Sequence, residues 1–503
     1  MSLRHERLAF GLGTRREIGE LRAHEQPRAA TAVEPSPVLA RVETRDWAFT
    51  WTLVFTAVLF LRPQDVFPPL GALHLAEVSA SLGLISLVVG RLARRQTATR
   101  MTPELAGVLV FGALMLLTAP FSIWFGGALG TFQELYLKVI LVYLLAVNVL
   151  NSPKRLERLS WILVLSLGYL GFRAVFDYAR GINTIRGGTR VMGSVGGIMQ
   201  NPNDMALNMV VFLPLAVLLA MYGPSVIKRL MAAGCALLMV GAIVATGSRG
   251  GFLGFAAMLI VLAVFAVRQR PGFVFAGVLL VMCAVPLAPS SYWQRIASIT
   301  DSSKDDVQSS QARRTLMGES FAAFLENPLT GVGAGQFKDW NPNGRAEPWH
   351  EAHNVWLQVA AELGIFGFAA FAFLVFRGFY SVFRSRRLLR RARPTPRRRT
   401  AATDQPRAGE RPIADAERIP VPAPPGLPQE EWARLDAHSA AMAASLAGWF
   451  VCAFFGSVAY NWTFYYLLAL AAAPVIIIRE AMPASLRRRA FAVNGLSPTR
   501  VGA

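Results

Sequence analysis

Arginines and one histidine at the ends of apolar runs are the residues of this chain that can do chemistry. Ser248-Arg249-Gly250-Gly251 lies in a very short turn between two apolar stretches. A guanidinium held there can grip a phosphate with two parallel hydrogen bonds, and the flanking glycines let backbone or ligand come close. The competing reading is an arginine reaching water from a helix end. Arg313 and Arg314 stand at the start of a stretch with helical periodicity at Leu316, Phe321, Phe324 and Leu325. One of the two suits an anion near a helix start, and the other a solvated face. Arg190 precedes Gly193 and the run Gln200-Asn201-Pro202-Asn203-Asp204, which ends a loop and caps the next apolar stretch through Asn203 or Asp204.

His353 opens another apolar run. Imidazole titrates near neutrality and can take a proton from a hydroxyl, although a histidine without context more often caps a helix or sits at an interface. His350-Glu351-Ala352-His353 spaces its histidines differently from the zinc-protease motif, and the ligand set is incomplete. Trp340 and Trp349 either stack on sugar rings or anchor their segment on a bilayer, and Trp356 reads as a residue of an interfacial aromatic belt.

The elements that must position these groups are membrane helices. Of 503 residues, 53% are hydrophobic and 16% charged, where soluble proteins carry about 25% charged residues. That composition excludes a disordered chain, a disulfide scaffold and an ordinary soluble enzyme. Twelve runs are long and apolar enough to be read as spans: 47–62, 72–90, 103–120, 131–150, 159–178, 204–222, 226–246, 252–267, 271–287, 354–376, 439–458 and 462–478. The net charge of +20 then belongs to arginines flanking spans on the cytoplasmic side rather than to a nucleic-acid site. With residues 1–45 inside, every even loop is basic, and both ends are cytoplasmic. Arg190, Arg249, Arg313 and Arg314 fall on the opposite face, against the usual bias.

The chain divides into an arm at 1–45 read as disordered, spans one to nine within 46–287, and a large outer loop at 288–353. Span ten follows at 354–383, then a basic Pro/Arg-rich cytoplasmic loop at 384–438, read as disordered and near anionic head groups, spans eleven and twelve at 439–478, and a cytoplasmic tail at 479–503. The outer loop should hold an ordered helix over Ala312–Leu325. Cys235, Cys283 and Cys452 all lie in apolar stretches, so they suggest neither an extramembrane disulfide nor a metal site.

Three separated segments together resemble the O-antigen ligase/polymerase superfamily. They are Asn327-Pro328-Leu329-Thr330-Gly331-Val332-Gly333-Ala334-Gly335-Gln336-Phe337, then His353-Asn354, then Glu362-Leu363-Gly364-Ile365-Phe366-Gly367. The family pattern H-[NSQ]-x9-G-x-x-[GTY] is met at His353, Asn354, Gly364 and Gly367. The Ser248-Arg249-Gly250 turn, the Arg190…Asn201-Pro202-Asn203 segment and Arg313, ahead of Asn327-Pro328, also match.

The resemblance implies an all-α, polytopic glycosyltransferase of GT-C type in the bacterial inner membrane. Its donor would be a glycan on undecaprenyl diphosphate, and its acceptor a hydroxyl on lipid A core, glycan or protein at the periplasmic face. It implies no cofactor and a metal-independent, inverting reaction. His353, Arg249 and Arg313 become the catalytic candidates, and Arg190, Arg314, Asn354, Trp340 and Trp349 the substrate-binding ones. Besides glycan substrates, the partners implied are membrane lipids, and no nucleic acid. A secondary transporter or flippase is the alternative of another class, but such proteins usually show repeats, and none is evident here.

Overall fold

The computed structural model describes residues 46–266, 290–297, 309–341, 350–391 and 428–482. The arm 1–45, the run 271–287, most of the basic loop, the tail beyond Met482, and Trp349 lie outside the described residues. Eight helices among the described residues are long and apolar enough to cross a bilayer, and two shorter apolar helices join them. The chain is an all-α integral membrane protein.

The helices used below are α1 (Trp47–Leu61), α2 (Leu75–Ala93), α3 (Pro103–Thr118), α4 (Leu137–Val149), α5 (Pro153–Arg180), α6 (Pro202–Tyr222), α7 (Val226–Thr246), α8 (Arg249–Ala266), α9 (Ser309–Glu326), α10 (Val355–Arg391), α11 (Gln429–Ala453) and α12 (Trp462–Ala481). Helix α9 covers the Ala312–Leu325 stretch that the outer loop was read to contain. Helices α10 and α11 run past the bounds inferred from hydropathy, to Arg391 and back to Gln429. The reason is chemical: those extensions carry Arg386, Arg387, Arg390, Glu430, Glu431 and Arg434, which remain helical after the apolar run has ended.

Local sequence sets the helix starts. Thr102, Ser152 and Asn201 each precede a proline at the first helical position and cap the helix by accepting Leu105 N–H at 3.2 Å, Arg155 N–H at 3.4 Å and Asn203 N–H at 2.8 Å. Proline there loses no needed donor. The cap of α6 is therefore Asn201, not Asn203 or Asp204. Close packing comes from small residues: α8 lies along α11 where Gly254 faces Gly448, and a Cβ on Gly254 would come within 2.8 Å of the Gly448 carbonyl. Inside the bundle, Glu104 of α3 accepts from Arg377 at 2.6 Å and Ser381 at 2.8 Å on α10, so this buried charge is paired. Trp356 is half-buried near the start of α10. Its ring packs edge-on against Phe371 and Phe450, at 5.7 and 5.8 Å.

One departure from pure helix bears on the site. Thr184–Ile185 and Arg190–Val191 pair as a two-stranded antiparallel hairpin, Ile185 opposite Arg190. Its turn holds Arg186, Gly187 and Gly188 at positive φ.

Candidate active site

The candidate residues converge at one end of the bundle, where α6, α8, α10 and α12 all begin. Arg190, 6% exposed, is carried by the hairpin. Its Nε donates to the Thr246 carbonyl at the end of α7 at 2.8 Å, and one Nη donates to Asn203 Oδ1 at 3.0 Å. The same Asn203 oxygen accepts from Ser248 Oγ at 2.9 Å. Ser248 Oγ in turn accepts from Gly251 N–H at 3.1 Å, capping α8. Arg190 thus ties together the hairpin, the end of α7 and the starts of α6 and α8, and Arg249 follows directly as the first residue of α8.

The turn between α11 and α12 joins this half of the site to the other. A Cβ on Gly250 would lie 2.8 Å from Phe455 Cβ, so the start of α8 rests on that ring. The Arg313 guanidinium of α9 lies over the same ring, 5.9 Å from its centroid. Ser457, two residues on, accepts the His353 backbone N–H at 3.0 Å and also bonds the Glu351 side chain. Asp204 approaches Gly456 of the turn and interacts with the Glu351 carboxylate. Arg313, over Phe455, and the start of α8 that carries Arg249, resting on the same ring, therefore both reach the turn that supports His353, and Arg190 braces that start through Asn203 and Ser248. Arg314 is exposed on α9.

His353 adopts a left-handed backbone, φ 48°, a strained state for a residue with a side chain that is favoured at functional sites. Its imidazole pKa is pushed down to about 4, first by burial and then by the nearby Arg313 guanidinium and His350. Asn354 Oδ1 accepts from Trp356 and Leu357 N–H, at 3.0 and 3.2 Å, so its amide oxygen caps α10. Trp340 is buried in a small apolar cluster, stacked on Phe337 at 6.1 Å, with its indole N–H on Glu326 at 3.3 Å. Its stacking surface is engaged within the protein.

The glycine-rich segment after α9 has a structural task. Helix α10 breaks at Gly364, φ 63°, ψ −163°. The broken turn frees carbonyls that the segment satisfies: Val332 N–H bonds Ala361 O at 2.8 Å and Gly333 N–H bonds Glu362 O at 2.9 Å, while Ile365 N–H bonds Pro328 O at 2.8 Å. Gly331 is left-handed, φ 69°, and a side chain there would meet the Glu362 backbone. The Glu362 carboxylate is held by Gly335 N–H at 3.0 Å and Tyr460 Oη at 2.7 Å. Through Tyr460, the same latch reaches the α11–α12 turn that supports His353.

Sequence reasoning missed that turn. Phe455, Gly456 and Ser457 form no recognisable motif, and they lie about a hundred residues from His353. They fell inside the run 439–458 read as a span, whereas α11 ends at Ala453 and leaves them in a turn.

Four helix N-termini with three guanidiniums make this end of the bundle a place for an anion, because unpaired N–H groups and aligned dipoles favour negative charge. Residues 234–372, from α7 to the kinked α10, match a family model described as O-antigen ligase. No curated protein matches the chain. The match spans Arg249, Arg313, the glycine latch and His353-Asn354, so this part of the chain is similar to the O-antigen ligase family.

Proposed function

We propose that this protein is an inner-membrane glycosyltransferase of GT-C type with twelve spans, both ends in the cytoplasm and the site at the periplasmic face. It moves a glycan from undecaprenyl diphosphate to an acceptor hydroxyl. The observation that carries the reading is that the segments bearing Arg190, Arg249 and Arg313 and several helix starts meet at the turn that supports His353, with Arg313 acting on its imidazole. The bond between the anomeric carbon and the diphosphate oxygen breaks, and a new bond to the acceptor oxygen forms on the opposite side of the sugar. Negative charge grows on the departing diphosphate. Arg249 and Arg313 stabilise it, since fixed donors cost no reorganisation during the reaction. Arg190 acts mainly as the brace that sets Asn203, Ser248 and hence Arg249. His353 takes the acceptor proton or orients the acceptor hydroxyl.

A base with a pKa near 4 is weak at neutral pH. Donor binding corrects this, because the diphosphate offsets the Arg313 charge that helps keep the imidazole neutral. In the free protein His353 should therefore titrate near 4. Added pyrophosphate or donor analogue should move its titration upward, as seen in the NMR signals of ring-labelled histidine. No upward movement would remove the diphosphate from the neighbourhood of this imidazole.

The activity test uses purified protein with a lipid-linked glycan and candidate acceptors. Formation of a new glycosidic bond with release of undecaprenyl diphosphate is expected. Substrate flux across proteoliposomes without bond formation would make the protein a transporter. Envelope glycans of a deletion strain then identify the acceptor: long chains missing from lipid A indicate a ligase, and chains reduced to single repeat units indicate a polymerase.

A further inference from the structure

Apart from the arginine–histidine cluster, a cavity of about 250 Å³ lies among the end of α1, the segment 62–77, α4 and the start of α12. Its wall includes Arg62, Gln64, His74, Glu77, Lys138 and Trp462. Two of these carry buried polar atoms with no hydrogen-bond partner: an acceptor, Gln64 Oε1, and a donor, Trp462 Nε1. Native proteins seldom leave such atoms unmatched, so each calls for a specific explanation. Arg62 and His74 both hold left-handed backbones, φ 44° and 43°, a strain that folds keep mainly at functional sites. Lys138 lies in an apolar span, where an ionisable residue is costly unless it has a task.

The wall offers both kinds of partner. Arg62, Lys138 and the Trp462 indole are donors, whereas Glu77 and the Gln64 carbonyl oxygen are acceptors. A ligand that satisfies both sets carries a phosphate and a cationic N–H group together. The segment that supplies His74 and Glu77 also exposes Phe67 (64%) and Leu73 (55%), which suits a ligand with acyl chains.

We propose that this cavity binds the headgroup of a phosphoethanolamine lipid. The phosphate lies toward Lys138, Arg62 and the indole N–H, and the ammonium toward Glu77 and the Gln64 carbonyl. Phosphatidylcholine has no N–H to give these acceptors, phosphatidylglycerol has no cation, and free phosphate has neither cation nor chains. The assignment stands independently of the transfer reaction, because it concerns binding alone. It is nonetheless next to the loop leading to the site: Arg62 pairs with Asp65 at 2.6 Å, and Asp65 accepts Gly196 N–H at 2.6 Å, ahead of Asn201.

The test uses the full chain, equilibrated in equal parts of phosphatidylethanolamine, phosphatidylglycerol and phosphatidylcholine, with retained lipids counted by native mass spectrometry. Phosphatidylethanolamine should be retained in excess. Lys138→Met should cut that excess about tenfold, the effect of losing one charge-assisted hydrogen bond, and Lys138→Arg should keep most of it. Gln64→Leu should bring phosphatidylethanolamine and phosphatidylcholine toward parity. Glycerophosphoethanolamine, the same headgroup without chains, should displace the lipid only at far higher concentration. Equal retention of the three lipids, an excess indifferent to both Lys138→Met and Gln64→Leu, or equal competition by the chain-free headgroup would each overturn the proposal.

Discussion

Arg249→Ala should lower glycan transfer by about 10²–10³-fold, the usual cost of removing one preorganised donor from a developing negative charge. Arg249 opens α8, where the helix start and its own guanidinium act on the same region, and Gly250 behind it rests on Phe455. The loss should fall on turnover more than on donor affinity, because charge on the diphosphate grows as the bond breaks. Arg249→Lys keeps the charge but loses the planar fork, so it should recover only part of the rate. His353→Ala should cost about 10²–10⁴-fold through the lost proton acceptor. The measurement is single-turnover consumption of lipid-linked glycan by purified protein, with thermal unfolding recorded beside it. Unchanged turnover in both Arg249→Ala and His353→Ala would remove these residues from the reaction.

The second large effect falls on the fold. Gly331→Ala forces a side chain into a left-handed position, at about 1–2 kcal/mol, and against the Glu362 backbone as well. If the glycine segment is pushed off, the Ala361 and Glu362 carbonyls at the break in α10 lose their partners. Unpaired backbone groups at membrane depth cost several kcal/mol each. A total destabilisation above about 4 kcal/mol is expected, in the range reserved for disruption of a buried network. Gly318 lies in α9 with nothing within 4 Å of its Cβ position, so Gly318→Ala should stabilise by about 0.5–1 kcal/mol. Thermal unfolding of the two variants in one detergent compares them directly, and similar midpoints would show that the latch does not hold α10.

The membrane class and most helices of the bundle were legible in the sequence. Hydropathy over some twenty residues is a local property. The helix over Ala312–Leu325 was legible for the same reason, since its periodicity repeats within one turn of the chain. The glycine-rich segment could be picked out as a motif, but its purpose could not. Gly331, Gly333 and Gly364 make sense only when Ala361 O and Glu362 O are seen to need donors from a segment about thirty residues earlier.

Several assignments depended on which neighbour arrives in space. Proline at position 202 makes Asn201 the cap, which releases Asn203 to accept from Arg190 and Ser248. Trp356 and Trp340 are amphipathic rings that suit a membrane boundary or a core equally well. Stacking on Phe337 within a buried cluster decided for the interior at Trp340, while Trp356 remains half-buried against Phe371 and Phe450. The chain alone determined that this is a helical membrane protein with arginines at the ends of its apolar runs, because hydrophobicity and charge act residue by residue. Tertiary structure alone decided that Arg190, Arg249, Arg313 and His353 meet around Phe455–Ser457, because a site is made by long-range contacts whose partners leave no mark on local composition.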